Sequence, residues 1–328
     1  MNAIRLSRRA ALSAALAATA LPLRAAFAAY PDGPVTWIVA YAAGGGTDTL
    51  ARLLGEAMAP QLGQPVVIEN RPGGATNIGA VAAAKAASDG RTVFTADNGT
   101  LVFNPALFRK LPYDPEQDFR PVGLMARFPL VLAVRKDSVS TSARDFVERA
   151  RAEPGGIDYA SPGVGSPHHL TMERLAREAG VQFTHVPYKG SAPALNDLVG
   201  GHVESMVVDY ASGAPHLKAD SIRPLAVCSA ARFDGLPDTP TVQEALGLKN
   251  FEAFAWQGLV VPKATPDPIV ERLSAELAAA LRQEAVLARM REIGLEPLTG
   301  GPDEFRALLE AERAVWVPLI QSLGITLD

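Results

Sequence analysis

Short β-branched and aromatic runs alternate along the chain with stretches in which Leu, Ala and Met recur at helical spacing. Val35–Val39 reads as a buried strand. Gly44-Gly45-Gly46-Thr47-Asp48 follows it, and Leu50, Leu53, Leu54, Ala57 and Met58 then fall on one helical face. Residues 66–68 form a second strand pattern. Gly73-Gly74-Ala75-Thr76-Asn77 leads into an Ala-rich helix that ends near Ser88-Asp89-Gly90, and residues 92–95 give a third strand. Strand, glycine-rich loop and helix in repetition predict an α/β sheet with parallel strands.

The same alternation returns further on. Residues 130–134 predict a strand and 142–152 a helix stopped by Pro154-Gly155-Gly156. Residues 157–160 predict a strand, which enters the loop Ser161-Pro162-Gly163-Val164-Gly165-Ser166 and then a helix over 168–179. Strands at 183–186, 205–208 and 225–229 and a helix at 192–199 complete this half. The tail predicts amphipathic helices at 267–282, 284–293 and 303–323, with Pro266 and Pro302 near their starts, where a missing N–H costs little. Two α/β lobes are the simplest arrangement, and 328 residues suit two domains.

The first 28 residues depart from this pattern. They hold Arg5, Arg8, Arg9 and Arg24, no acid, an Ala/Leu-rich stretch from Ala10 to Leu23, and Ala26-Phe27-Ala28 as a cleavage signal. They predict a cleaved secretory signal, and Arg8-Arg9 resembles a twin-arginine export signal. No other segment approaches the roughly 20 apolar residues of a membrane span, so the exported protein is expected to be soluble in the periplasm. Without the signal, 27 basic residues face 35 acidic ones, a net charge of −8. That balance disfavours nucleic acid as a partner. The single cysteine, Cys228, excludes an internal disulfide and a cysteine-based zinc site.

The candidate chemistry lies in the two glycine-rich loops, at 44–48 and 161–166. Each joins a strand to a helix start, where unpaired N–H groups and the positive end of the helix dipole receive anions without Arg or Lys. The same glycines also serve tight turns; two equivalent loops, one per lobe, point to an anion clamped between lobes. Neither loop matches a nucleotide motif, and Gly-x-Ser-x-Gly is absent. His168 and His169 point about 100° apart on a helix, which does not suit one shared metal ion. His185, His202 and the three tryptophans read as structural. Ser166, a histidine and Asp209 can be written down as a triad, but nothing in their spacing supports it.

These residues carry a family resemblance. Ala43-Gly44-Gly45-Gly46-Thr47-Asp48 with Ala51-Arg52, Leu62-Gly63-Gln64-Pro65-Val66-Val67-Ile68-Glu69-Asn70-Arg71-Pro72-Gly73-Gly74, and Leu111-Pro112-Tyr113-Asp114-Pro115 lie in the first half. Tyr159-Ala160-Ser161-Pro162-Gly163-Val164-Gly165-Ser166, His185-Val186-Pro187-Tyr188-Lys189-Gly190 and Trp256-Gln257-Gly258-Leu259 lie in the second. In order and number they resemble the substrate-binding proteins of tripartite tricarboxylate transporters, the Bug family. The resemblance implies a two-lobed periplasmic-binding-protein fold of the Venus-flytrap, type II-like kind, with a ligand cleft between lobes. Lobe 1 is expected at 29–128 plus 254–328 and lobe 2 at 129–253. It implies a small carboxylate ligand, no catalysis, no cofactor, a monomer, and delivery to membrane transporter subunits. Carried over residue by residue, the ligand contacts are Tyr41, Gly44, Gly45, Gly46, Thr47 and Asp48 on the first loop. Ser161, Gly163, Gly165, Ser166 and His169 belong to the second, and Asn77, Asn98, Thr100, Tyr188 and Asp209 line the same cleft.

Pro162, Pro167, Gln257 and Asp97 depart from the family pattern. Each proline removes an N–H donor, or in the case of Pro167 begins a helix. The alternatives are an exported enzyme acting on a carboxylate or ester, which would need an activated nucleophile or a metal, and a carboxylate sensor feeding a signalling partner.

Overall fold

The computed structural model describes residues 30–327; the export segment predicted at 1–28 lies outside them. β1 (Val35–Val39), α1 (Gly46–Leu62), β2 (Val66–Asn70), α2 (Asn77–Ala84) and β3 (Thr92–Asp97) open the chain. β1 lies between β2 and β3, parallel to both. β1 and β3 are buried along nearly their whole length, as parallel strands covered on both faces are. The face of α1 carrying Leu50, Leu54 and Met58 joins Trp37 and Val39 in one apolar cluster.

β4 (Phe119–Arg135) is the longest strand and belongs to two sets of partners. After it come α3 (Ala143–Ala152), β5 (Asp158–Ser161), α4 (Pro167–Ala179), β6 (Thr184–Pro187) and α5 (Ser191–Gly200). β7 (Ser205–Asp209), α6 (Tyr210–Lys218), β8 (Ile222–Val227) and β9 (Phe254–Pro262) follow. β4 pairs antiparallel with β9 from Phe119 to Pro129, and with β7 and β8 from Leu130 onward. The strand order β2-β1-β3-β9-β4-β7-β5-β6 therefore divides into two groups that share β4.

The predicted parallel sheet holds for β2-β1-β3 and for β6-β5-β7, where β5 pairs parallel with both neighbours. It fails at the centre, where β9 runs antiparallel to β3 and β4. The sequence pattern gave a strand only at 130–134. Pro121, Gly123 and Pro129 interrupt the earlier half of β4, and its register shifts between Pro121 and Gly123 and between Leu124 and Ala126. Such bulges admit proline and glycine into a strand and erase its periodicity. β9 escaped the pattern because Gln257 and Gly258 sit in its middle. The strand expected at 225–229 runs instead from Ile222 to Val227, and its pairing with β4 shifts register between Leu132 and Ala133, opposite Ala226 and Pro224.

α7 (Asp267–Ala280), α8 (Glu284–Glu292) and α9 (Pro302–Leu323) match the predicted tail to within a few residues. Phe305 and Trp316 of α9 meet Trp256 and Phe103 edge to face, at ring-centroid distances of 5.4 and 5.5 Å. No helix among the described residues is long and apolar enough to cross a membrane.

Gly258 is what allows α9 to seat on β9, because a Cβ there would stand 2.3 Å from Phe305 Cε1. Gly258→Ala is expected to destabilise the protein by about 1–3 kcal/mol, as overpacked cores do. A urea midpoint equal to that of the parent would contradict this packing.

Candidate functional site

A cavity of about 1500 Å³ opens at the carboxyl ends of β1, β3, β5 and β7, the place where open α/β sheets bind ligands. Five helices start at its wall. Gly46 and Thr47 of α1, the α2 cap Thr76, Pro167 and His168 of α4, Ser191 of α5 and Ala211 of α6 all line it. Among the described residues its lining contains no arginine; Lys189 and Lys218 are its lysines, both exposed.

The first loop meets the cavity with its backbone. Tyr41, Gly44, Gly45, Gly46 and Thr47 line it. Gly44 has φ +85°, a conformation glycine adopts without strain. No side chain caps α1. Thr49 N–H donates to Gly45 O at 2.9 Å, so the N–H groups of Gly46, Thr47 and Asp48 precede the helical ladder. Asp48 does not line the cavity; it braces the loop from behind. It accepts from Gly44 N–H at 2.8 Å, Arg52 Nε at 2.9 Å and Asn70 Nδ2 at 2.9 Å. Burial alone would raise the Asp48 carboxyl, but Arg52, Gly44 and Asn70 outweigh it and hold the group below the usual carboxylate range.

The second loop is held by a stack of rings, with Tyr159 and His169 buried and His185 half-buried between them. Gly163, Gly165 and Ser166 line the cavity, while Ser161 and His169 lie behind it. Ser161 Oγ accepts from Gly163 N–H at 3.2 Å and lies 2.7 Å from His185 Nε2. Gly165 N–H donates to His169 Nδ1 at 3.0 Å, and the His169 and His185 rings stack at 4.0 Å. Tyr159 stacks on His185 at 4.8 Å and donates its hydroxyl to Glu173. Gly165 has φ +76°, and a Cβ there would lie 2.6 Å from Leu107. Ser166 caps α4 by accepting from His169 N–H at 3.3 Å, and Pro167 takes the first helical position. The Gly163 and Gly165 amides are thus engaged inside the protein, which leaves Val164 and His168 as this loop's N–H donors and the Ser166 hydroxyl as its side-chain donor.

The remaining predicted residues divide in the same way. Asn98 lines the cavity, yet its amide is fixed by Phe254 O at 3.1 Å, Trp256 N–H at 3.1 Å and the buried Glu312 at 3.1 Å. Burial holds the Glu312 carboxyl above its usual value. Thr100 is fully buried, its hydroxyl 2.8 Å from Asp97 and 2.9 Å from Thr76. Asn77 stands behind the wall and accepts from Asn104 at 3.0 Å. Tyr188 turns away to donate to Asp197 at 2.6 Å, while its neighbour Lys189 lines the cavity. Asp209 lines the cavity, caps α6 through Ser212 N–H at 2.8 Å, and lies 3.2 Å from His168 Nε2. Burial would raise the Asp209 carboxyl; His168 and Ser212 prevail and hold it low.

All four departures, Asp97, Pro162, Pro167 and Gln257, line the cavity. His168, Thr76 and Lys218 line it too and were not singled out as ligand contacts. A register pairing that places Gln257 opposite Asp97 cannot be read from one sequence. Among the described residues, Ser166 and the His168–Asp209 pair serve different partners. His168 touches Asp209, but its Nδ1 has no partner and Ser166 Oγ serves the helix cap instead. The Cys228 thiol is buried and pushed up to about 12.

Comparison with known proteins places these features in context. The sequence profile described as "Tripartite tricarboxylate transporter family receptor" matches residues 50–325. Protein BugT of Bordetella pertussis is 32% identical over 328 residues, with 100% of both chains covered. The solved structure of R. palustris Rpa4515 with adipate superposes with a TM-score of 0.82 at 38% identity, covering 90% of this chain and 99% of that one. MatC (Rpa3494) from Rhodopseudomonas palustris with bound malate superposes with a TM-score of 0.78 at 35% identity, covering 89% and 100%.

Burial lowers His169 to about 3, with a contribution from His185, and lowers His185 to about 4. Unfolded histidine titrates near 6.5, so below that pH the unfolded chain binds more protons than the folded one. The stability contributed by these neutral rings is whole above about pH 6.5 and declines as the pH falls towards 4. Urea midpoints measured across that window should fall for the parent protein and fall less steeply for His185→Phe. Parallel profiles for the two proteins would show that the stacked rings do not titrate as described.

Proposed function

The chain belongs to the tripartite tricarboxylate transporter family of receptors, and we propose that its cavity captures a small carboxylate in the periplasm for delivery to the membrane subunits of such a transporter. The observation that carries this is the ring of five helix starts around one cavity whose lining holds no arginine. A single anion there meets N–H groups and positive helix ends from both groups of strands. The solved relatives with adipate and malate support an acid as the ligand class.

The proposed contacts are the backbone of Gly45, Gly46 and Thr47, the Thr47 and Ser166 hydroxyls, and Val164 and His168 across the cavity. Water fills the remaining positions between loop and ligand. Asp48, Asn77, Thr100, Ser161, His169 and Tyr188 act behind the wall, by fixing the loops that touch the ligand. The proposed lobes are 29–128 plus 254–328, and 129–253. What supports them is the change of partners on β4, which leaves β9 at Pro129 and joins β7 at Leu130. Closure of these lobes needs contacts that exist only when both loops reach one ligand. The protein is proposed to act as a monomer and to release its ligand unchanged. The Ser166 hydroxyl oxygen caps α4 through His169 N–H, while His168 directs Nε2 at Asp209; this division of partners supports binding without turnover.

Native mass spectrometry of the purified protein, followed by a thermal-shift panel of aliphatic, amino and aromatic acids, tests this reading. An acid at 100 times its Kd should add about 2.7 kcal/mol to stability and be recovered unaltered. Recovery of a chemically changed acid would identify an enzyme instead. Thr47→Phe and Ser166→Phe should each abolish that stabilisation while leaving the circular dichroism of the free protein unchanged. Unaltered affinity in both variants would refute a clamp shared between the loops.

A further inference from the structure

The two faces of β4 join the proposed lobes differently. On one face Leu124, Leu130, Leu132 and Val134 belong to a single apolar cluster. That cluster holds Trp256, Phe305 and Trp316 from lobe 1 and Leu170, Leu175 and Phe251 from lobe 2, each at most 2% exposed. On the other face the core is split. Phe128 belongs with Trp37, Leu54 and Leu273 of lobe 1, whereas Val131 and Ala133 belong with Leu195, Met206 and Val208 of lobe 2. The break falls where β4 exchanges β9 for β7 and β8. Parting the lobes on the first face would carry buried tryptophan and leucine side chains into water; parting them on the second face leaves both cores whole.

On the split face the lobes meet at a small contact. Gly294 follows α8 with φ +75° and lies against the start of α6: a Cβ on it would stand 2.7 Å from Tyr210 Cδ1 and 3.3 Å from Ala211 Cα. The half-buried Tyr210 ring is held in its own lobe by Phe233, edge to face at 4.7 Å. Ala211, also half-buried, is where lobe 2 touches the lobe 1 cluster. The residues next to this contact, Glu292 and Ile293 on one side and Ala211 and Ser212 on the other, line the cavity. The opposite edge of the cavity is tied more firmly. Gly165 abuts Leu107 and Leu327, Arg177 Nη1 donates to Ser322 Oγ at 2.8 Å, and the Arg174 guanidinium lies over the Trp316 ring at 5.6 Å. Resting on the reading of two lobes around one carboxylate cavity, we propose that the Tyr210–Gly294 contact is the gate of that cavity, parting to admit and release the ligand while the α4–α9 face stays packed. Gly294 and Tyr210 are positioning residues: they set how long a ligand stays by meeting each other beyond the wall. The missing Cβ at Gly294 lets the ring edge rest on backbone, so the gate closes by contact alone and opens without breaking a hydrogen bond between the two residues.

Spin-label distances in the purified, ligand-free protein test this, in a Cys228→Ala background. One pair of labels spans the gate, at the exposed Ala219 and Ala288; the other spans the packed face, at the exposed Gln182 and Val315. Gly294→Asn puts a Cβ into the space of the Tyr210 ring at a backbone conformation that asparagine tolerates. It should shift the gate pair to longer distance and leave the other pair unchanged. Adding Tyr210→Ala removes the ring that the new side chain strikes, and the double variant should fall back to the distance of Tyr210→Ala alone, a rescue that general damage to the fold would not give. Release of a probe acid, measured with succinate, adipate and L-glutamate, should be at least about tenfold faster in Gly294→Asn than in the parent. If Gly294→Asn does not fold, Tyr210→Ala alone decides, since loss of the contact should lengthen the gate pair and not the other. An unmoved gate pair, or equal lengthening of both pairs, overturns the gate. Failure of all three acids to bind the parent counts against the carboxylate reading, and the label distances still decide the gate.

Discussion

A helix that begins without a side-chain cap leaves its first N–H groups in need of an acceptor. In this protein α1 begins that way at Gly46, on the wall of the central cavity. That unmet requirement organises the surrounding structure. Gly44 takes a left-handed turn to bring the chain close, Asp48 and Arg52 anchor the turn from behind, and Gln257 holds the Thr47 hydroxyl from the neighbouring strand. α2 and α5 likewise begin without a side-chain cap, at Thr76 and Gly190 on the same wall.

The two glycine-rich loops look equivalent in sequence and differ in what they offer. The first presents backbone donors. The second has its Gly163 and Gly165 amides tied to Ser161 and His169, through a ladder of stacked imidazole and phenol rings. It is a braced surface that offers the Ser166 hydroxyl and a few N–H groups. An acidic protein with no arginine in its cavity can still receive an anion, because the helix starts supply the field.

Much of this was legible in the sequence. β1, β3 and β7 announce themselves by β-branched runs, and the glycines after β1 and β5 mark the loops because few other residues allow so close a turn. The centre of the sheet was not legible. β9 and the first half of β4 carry Gly258, Gln257, Pro121 and Pro129, residues that fit only because bulges and the Phe305 ring accept them. The direction of a side chain was the other hidden quantity. Ser161, Thr100 and Tyr188 belong to segments that line the cavity, yet each turns away from it, to His185, Asp97 and Asp197. Gln257 and Asp97 stood out in sequence as departures from a family pattern, and only the register between β3 and β9 shows that they are neighbours.

The central claim is that an acid is held by the amides at the start of α1. Amide proton and nitrogen shifts of the isotopically labelled protein, recorded with and without the acid that stabilises it most, test this directly. The account predicts large shifts at Gly46 and Thr47 and a small one at Gly165, whose N–H is already held by His169. Unmoved resonances at Gly46 and Thr47 in the presence of saturating acid would contradict it.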